Sequence, residues 1–374
     1  MSNNKFAFVI HPLDPRRDAA RKYPVLAHAP GWLIEWLSIF YPPVFISEIR
    51  GVRSSATGRE APGWFVACPL SARMMMKLPP SLVYRKIIQT GRYAQRLGAR
   101  LLGLGAFTSV VGDGGQTIAE AMRIPVTTGN SYTIAVSVEA VRNTASRLRM
   151  NLADSTVAIV GASGAIGSVC ARLLAPEVGE LILVGRRMHS LERVAGQAIE
   201  QGARFVDTTT NIERIQRAQI VFAASSALGP LIEPQHLHSN ALVCDVARPR
   251  DVARQVKRER PDVLVIDGGM VHVPGEVDFG FDFGFPPGQA YACMAETMAL
   301  ALEGRYESFT LGKQLRLRQV TEIGDIAARH GFRLGGLRTQ DQPVTESELA
   351  AHARRRERLN GNYTAVPSPL RLTV

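Results

Sequence analysis

The chain has 374 residues, of which 46% are hydrophobic and 21% charged, and a net charge of +11. That length allows two domains with cores of their own, and no uninterrupted apolar run approaches the ~20 residues of a membrane span. The start lacks the apolar segment and cleavage site of a secretory signal. The four scattered cysteines (Cys68, Cys170, Cys244, Cys293) form no CxxC pair, which argues against zinc and for a reducing, cytoplasmic setting.

The basic surplus gathers at Arg248 to Arg260 and at His352 to Arg358. Such runs are solvated faces in most proteins, and where they bind they favour acidic partners. Nucleic acid and an acidic carrier protein are the two candidate classes. No nucleic-acid motif accompanies the charge, so nucleic acid is set aside.

In chain order, Phe6 to Ile10 predicts a first strand that ends at His11-Pro12. Helical patterns over 15–41 are broken by Pro24, Pro30 and Gly31. Within them Trp32, Trp36 and Phe40 recur at i, i+4 and i+8 and share one helix face. That face is either the buried side of an amphipathic helix or the lining of a lipid-binding groove. Two strands follow, at Phe45–Val52 and Gly63–Cys68, and then a basic amphipathic helix over 80–100. Leu101 to Val111 reads as a strand that runs into a loop. Pro125 to Asn130 is a turn-rich hinge, and Ser131 is the expected N-cap of a helix from Tyr132 to about Met150.

Residues 155–270 alternate apolar runs with helical patterns, the rhythm of a parallel doubly wound sheet. The expected fold class is α/β: a small N-terminal α/β substrate domain (1–130), then a Rossmann-type domain with its linking helix (131–290). Residues 291–336 supply a cysteine-bearing helix and further helices, and 337–374 form a basic, flexible tail.

A strand at Thr156 to Val160 leads into Gly161-Ala162-Ser163-Gly164-Ala165-Ile166-Gly167 and then a helix. This is a variant glycine loop, G-x-x-G-x-x-G, in the context that dinucleotide binding needs. Glycines let the backbone approach a pyrophosphate resting on the helix N-terminus. The second strand ends at Gly185-Arg186-Arg187 with no acid to hold a ribose 2′-hydroxyl. Arginines there suit the 2′-phosphate of NADPH. By position, Ala224 and Ser225 would lie near the ribose or nicotinamide, and Gly268 and Gly269 near the nicotinamide side.

Cys293 sits near the start of a helix among small residues, Ala290, Ala292 and Ala295. Two readings stand: an inert core cysteine, or a nucleophile favoured by the helix N-terminus with room for a bulky thioester. Glu296 follows one turn later, either to handle a proton or to sit at the helix surface.

Several stretches carry a resemblance: Leu104 to Val111, Thr127 to Ser131, Val157 to Ser168, Ala290-Tyr-Ala-Cys-Met-Ala-Glu-Thr-Met298 and His330 to Arg333. Together they resemble the long-chain acyl-(acyl-carrier-protein) reductases of cyanobacterial alkane biosynthesis, in the same order over about 6–334. The resemblance implies that Cys293 is the acylated nucleophile, NADPH the reductant and a fatty aldehyde the product. It implies acyl carrier protein, or acyl-CoA, as donor and an aldehyde-deformylating oxygenase as partner. No metal is implied. Thr127, Thr128 and Asn130 are expected at the acyl substrate, and with His11 they are the candidates for oxyanion donor or general acid; the alternative for all four is turn and strand-end structure. The segment 54–62 and everything beyond about 336 depart from that pattern.

Two alternatives differ in class. A shikimate/quinate dehydrogenase-like enzyme shares the domain order but uses a Lys/Asp pair, and this chain reads Gly129-Asn-Ser-Tyr-Thr133 where the Asp would follow. A non-catalytic NADP-binding regulator would bind cofactor without reducing anything.

Overall fold

The computed structural model describes residues 4–12, 14–247, 249–340 and 342–363. The extreme start, Arg248 of the basic run and the last part of the expected tail (364–374) lie outside the described residues.

The N-terminal unit is built on β1 (Phe6–Ile10), whose first four residues are buried. It continues with α1 (Pro15–Lys22), α2 (Gly31–Ser38), β2 (Val44–Ile49) and β3 (Gly63–Ala67). Then come α3 (Ala72–Lys77), α4 (Pro80–Arg96), β4 (Leu102–Leu104), α5 (Phe107–Val110), α6 (Gln116–Ala121) and β5 (Val126–Thr127). The strands order as β2-β3-β1-β4-β5. Only β2 runs antiparallel to its neighbour. Burial on both faces explains why β1 is apolar throughout rather than alternating. The strand expected over Leu101 to Val111 stops at Leu104. Ala106, with φ 47°, turns the chain, and α5 follows.

Helix α7 (Asn130–Arg147) joins the two units. It begins one residue before the expected cap: Gly129 caps it with φ 73°, and Ser131 is buried inside it. The second unit comprises β6 (Thr156–Val160), α8 (Ala165–Leu174), β7 (Glu180–Val184), α9 (Met188–Glu200), β8 (Val206–Thr209), β9 (Ile220–Ala223), β10 (Leu242–Asp245), α10 (Val256–Glu259) and β11 (Leu264–Asp267). Its six strands order as β11-β10-β9-β6-β7-β8, all parallel. The strand order reverses between β6 and β9. Ligands of open α/β sheets sit outside the carboxyl ends of the strands at such a point.

Beyond the sheet, β12 (Met270–His272) and β13 (Gln289–Tyr291) lead into α11 (Ala292–Glu303), followed by α12 (Leu317–His330) and β14 (Arg333–Leu334). Helix α11 packs on α7, α12 and the strands β1 and β4, so the cysteine helix belongs to the layer that covers the N-terminal sheet. Its apolar and small residues fill that interface: Ala295, Met298, Ala299 and Leu302 are buried.

The expected flexible tail is corrected for residues 337–363. They form a short hairpin, β15 (Arg338–Thr339) with β16 (Gln342–Pro343), and the helix α13 (Glu346–Tyr363). Leu349 is buried in the same core as Leu264 and Ile266 of β11. Arg355 donates to the Pro261 carbonyl at 2.7 Å, and Arg147 and Arg149 pair with Glu346 and Glu357. Exposed ion pairs of this kind contribute little each, so the apolar anchor carries the attachment. Leu349→Ala is expected to cost about 2–4 kcal/mol, measured as a lowered midpoint in chemical denaturation.

Candidate active site

The glycine loop follows β6 directly. Gly161 has φ 81°, and a Cβ there would stand 2.7 Å from the Ala224 carbonyl oxygen at the end of β9. A Cβ on Gly167 would stand 2.4 Å from the Gly161 carbonyl oxygen, which fixes close packing of α8 on the loop. Gly164 caps α8, with Ala165, Ile166 and Gly167 as its first turn; Ala162 is buried and Ser163 half-buried. The first-turn N–H groups of α8 thus stand over the crevice, as pyrophosphate binding needs.

Arg186 and Arg187 are exposed just past β7. The residues present fit NADP(H): a glycine cradle at the strand-order reversal, cations where a 2′-phosphate would lie, and no acid there. Replacing Arg186 and Arg187 by serine is expected to weaken NADPH binding about tenfold to a hundredfold. NADH binding should hardly change; fluorescence titration of both nucleotides checks this.

Ser225 is pinned by Asp251, whose carboxylate accepts the Ser225 N–H at 2.8 Å. Burial raises the Asp251 pKa, and the hydrogen bonds from Ser225 oppose the shift. Gly268 and Gly269 follow β11. A Cβ on Gly268 would meet Val246 at 2.8 Å and the Cys244 Sγ at 3.0 Å, so glycine is required by packing there.

Cys293 is the second residue of α11 and is partly exposed. Cys68, Cys170 and Cys244 are buried. Burial pushes the Cys68 thiol up to about 11 and the Cys170 thiol well above its ordinary value. The turn before α7 presses on the Cys293 backbone: a Cβ on Gly129 would lie 2.4 Å from Cys293 Cα. Any side chain at 129 would displace the cysteine.

Glu296 is neither at the surface nor in the cavity. It is buried, accepts from the Thr127 hydroxyl, and accepts the Tyr132 N–H at 2.9 Å. Burial raises its pKa, against those hydrogen bonds. The carboxylate thus ties α11 to the start of α7, in place of the expected alternative of a surface position. The Thr127 hydroxyl also accepts the Thr310 N–H at 3.2 Å, and Thr128 bonds the Thr310 carbonyl at 3.0 Å. Of the three residues expected at the acyl group, Thr128 and Asn130 line the cavity, and Thr127 faces Glu296.

His11 also lines the cavity, but both ring nitrogens are engaged. Nδ1 faces the Pro12 carbonyl at 3.0 Å, and Nε2 accepts the Phe107 N–H at 3.2 Å. Burial lowers its pKa. The ring is a neutral brace for the turn into α5 and has no free site for proton transfer.

A single cavity of about 960 Å³ joins these parts. Its lining includes Ile166, Ala224, Ser225 and Gly269 from the dinucleotide unit, Cys293 from α11, and Leu26, Ile34, Leu37 and Tyr41 from the N-terminal unit. Sequence reasoning missed one wall. Phe281, Phe283 and Phe285 line the cavity from the loop between β12 and β13. They form a ring ladder, with Phe65–Phe283 centroids at 4.7 Å, Phe281–Phe283 at 4.8 Å and Phe285–Tyr291 at 4.7 Å. The alternation of phenylalanine from 279 to 285 was the available signal.

Residues 143–268 match the shikimate / quinate 5-dehydrogenase family. The match covers the end of α7 and the parallel sheet and stops short of Cys293. The chain is 36% identical over 282 residues to the aminotransferase PigE of Serratia sp., covering 75% of this chain and 33% of that protein. It spans only a third of that relative. It is 29% identical over 336 residues to a long-chain acyl-[acyl-carrier-protein] reductase of Synechococcus elongatus, covering 86% of this chain and 95% of that one. A glutamyl-tRNA reductase of Photobacterium profundum is 30% identical over 149 residues, 37% of this chain and 34% of that one. The chain is thus an oxidoreductase-like α/β protein with an NADP-type dinucleotide domain. Among the described residues no helix is long and apolar enough to cross a membrane, and no cluster of His, Cys, Asp and Glu could hold a metal ion.

Proposed function

We propose that the protein reduces a long-chain acyl thioester to a fatty aldehyde through an acyl group held on Cys293. One observation carries this reading: a partly exposed cysteine lines the same cavity as residues of the dinucleotide unit and a set of apolar side chains from the N-terminal unit. A volume of about 960 Å³ is at the upper end of small-molecule sites, which run to about 1,000 Å³. It leaves room for both a nicotinamide and an alkyl chain.

The chemistry divides into two half-reactions. The Cys293 thiolate attacks the thioester carbonyl, and the carrier's thiolate leaves. NADPH, when bound, supplies the hydride. The hemithioacetal then collapses, freeing aldehyde and the Cys293 thiol. The Phe281–Phe285 ladder and the α2 wall hold the alkyl chain and exclude water, so the acyl-enzyme resists hydrolysis. Glu296 is a positioning residue, which holds the Thr127–Asn130 turn against Cys293.

The similarity to an acyl-[acyl-carrier-protein] reductase across most of both chains supports the reaction, with acyl carrier protein or acyl-CoA as donor. The PigE similarity is compatible with it, because an aldehyde is a carbonyl acceptor for transamination. An aldehyde-deformylating oxygenase is the other consumer the reading admits. The shikimate dehydrogenase alternative finds no lysine among the described residues that line the cavity.

The test is a series of saturated acyl thioesters of increasing length with NADPH. Thiol, aldehyde and oxidised cofactor should appear in equal amounts. The specificity constant should rise about fourfold per methylene until the compartment is full. Oxidation of NADPH by a shikimate-type ketone, with no thiol released from any thioester, would overturn the reading.

A further inference from the structure

The face that carries Trp32, Trp36 and Phe40 is not buried. Trp32 is 70% exposed, Trp36 54% and Phe40 70%, while Ile34 and Ser38, on the other side of α2, are buried. Trp36 and Phe40 stack edge to face at 5.5 Å, and Trp32 lies one turn before Trp36, so the three form an exposed aromatic strip. The outer face of α2 carries no charge; its one acid, Glu35, accepts from the Ser71 hydroxyl at 3.0 Å. Monomeric soluble proteins rarely show a patch of this kind without a use for it.

Trp32, Trp36 and Phe40 do not line the cavity, which α2 walls with Ile34, Glu35, Leu37 and Ser38, but the cavity reaches the surface close by. Tyr23, Val25, Leu37, Tyr41, Phe45 and Val110 are each exposed to solvent and also line the cavity that contains Cys293. The Tyr41 hydroxyl bonds to that of Tyr23 at 2.5 Å, and this draws the turn after α1 against the end of α2. The apolar compartment therefore reaches the surface beside α2, where Leu37 and Tyr41 are both exposed and part of its wall.

The flanks are basic. Arg16 and Arg17 are exposed on α1, with Arg16 Nε donating to the Ala27 carbonyl at 2.6 Å. Arg73 and Lys77 are exposed on α3, which the Ser71–Glu35 bond holds beside α2. The acids nearby are occupied: Asp14 accepts the Arg16 and Arg17 N–H groups at 3.0 Å, and Asp18 accepts the Asp14 N–H at 3.1 Å.

We propose that α2 and its flanks dock on the surface of an anionic phospholipid bilayer, with Trp32, Trp36 and Phe40 in the headgroup–acyl boundary and the cavity mouth facing the lipid. An uncharged aromatic face between cationic edges is the pattern of helices that lie in the interface plane. An acidic protein would seek the cations but would gain little from an uncharged helix edge. The benefit to catalysis rests on the acyl-thioester reading: a long-chain product leaves into lipid without crossing water. The docking itself rests on the surface alone.

The experiment uses the full chain without thioester or NADPH, floated with vesicles of phosphatidylcholine, with or without phosphatidylglycerol. Partition should need the anionic lipid. The triple substitution Trp32→Ser, Trp36→Ser, Phe40→Ser should lower it about tenfold or more, with the thermal midpoint retained because these side chains are exposed. Arg16→Glu with Arg17→Glu should weaken partition to the anionic vesicles. The chain has 3 tryptophans, so Trp64→Phe leaves only Trp32 and Trp36 to report. Their emission should be quenched by bromine-labelled lipid. No partition, equal partition of the triple variant, or partition without quenching would overturn the proposal. So would tryptophan emission that responds to an acyl carrier protein and not to vesicles. A chain that binds vesicles but never reduces a thioester would refute the proposed reaction and leave the docking standing.

Discussion

Cys293→Ala and Cys293→Ser are expected to lower acyl-thioester reduction by at least about a thousandfold, while NADPH binds as before. The loss is large because both half-reactions pass through that sulfur. Serine keeps the size of the side chain, but its hydroxyl stays protonated near neutral pH and no base stands ready: His11 is engaged at both nitrogens, and Glu296 is turned away. Single-turnover aldehyde formation measures the loss, and nucleotide titration measures the binding. A protein that only binds NADP would show neither activity nor its loss.

The second large effect is at Glu296. Glu296→Ala removes the acceptor of the Thr127 hydroxyl and of the Tyr132 N–H in a fully buried site. The expected cost is about 2–5 kcal/mol of stability. Activity should fall with it, because the Gly129 turn packs on Cys293. Glu296→Gln keeps one acceptor oxygen and should cost less on both counts. The pH dependence separates the two further. Burial raises the folded pKa of Glu296 above its ordinary value of 4.5. The folded state then holds this proton more tightly than the unfolded chain. Its contribution to stability is fully present below the unfolded value and is lost as pH rises through the folded one. The stability of the wild type minus that of Glu296→Gln should therefore fall with rising pH across that window. Denaturant titrations at several pH values check the sign.

How much of this was legible in the sequence depends on what each residue contacts. The parallel sheet was readable because its strands are buried apolar runs and Gly161 to Gly167 stands between a strand and a helix. The cysteine at the start of α11 was readable for the same local reason. Glu296 was not: spacing puts it one turn from Cys293, but only the packing of α7 on α11 shows that its carboxylate meets Thr127 and Tyr132. The strip of Trp32, Trp36 and Phe40 shows the other limit. Periodicity finds a face and says nothing of which way it points; Ile34 and Ser38, two positions on from Trp32 and Trp36, take the inside. The C-terminal helix hid behind its charge, since composition registers the arginines of α13 and not the one leucine that seats it. The phenylalanine ladder comes from a loop, where the alternation from Phe279 to Phe285 puts the rings on one side but does not say what they face.

The most direct test of the acyl-enzyme is intact mass of the purified protein after mixing with a long-chain acyl thioester in the absence of NADPH. The account predicts an increase by one acyl group, mapped to Cys293, that disappears when NADPH is added and aldehyde is released. No adduct from any thioester, in a protein that still binds NADPH, would contradict the covalent route through Cys293.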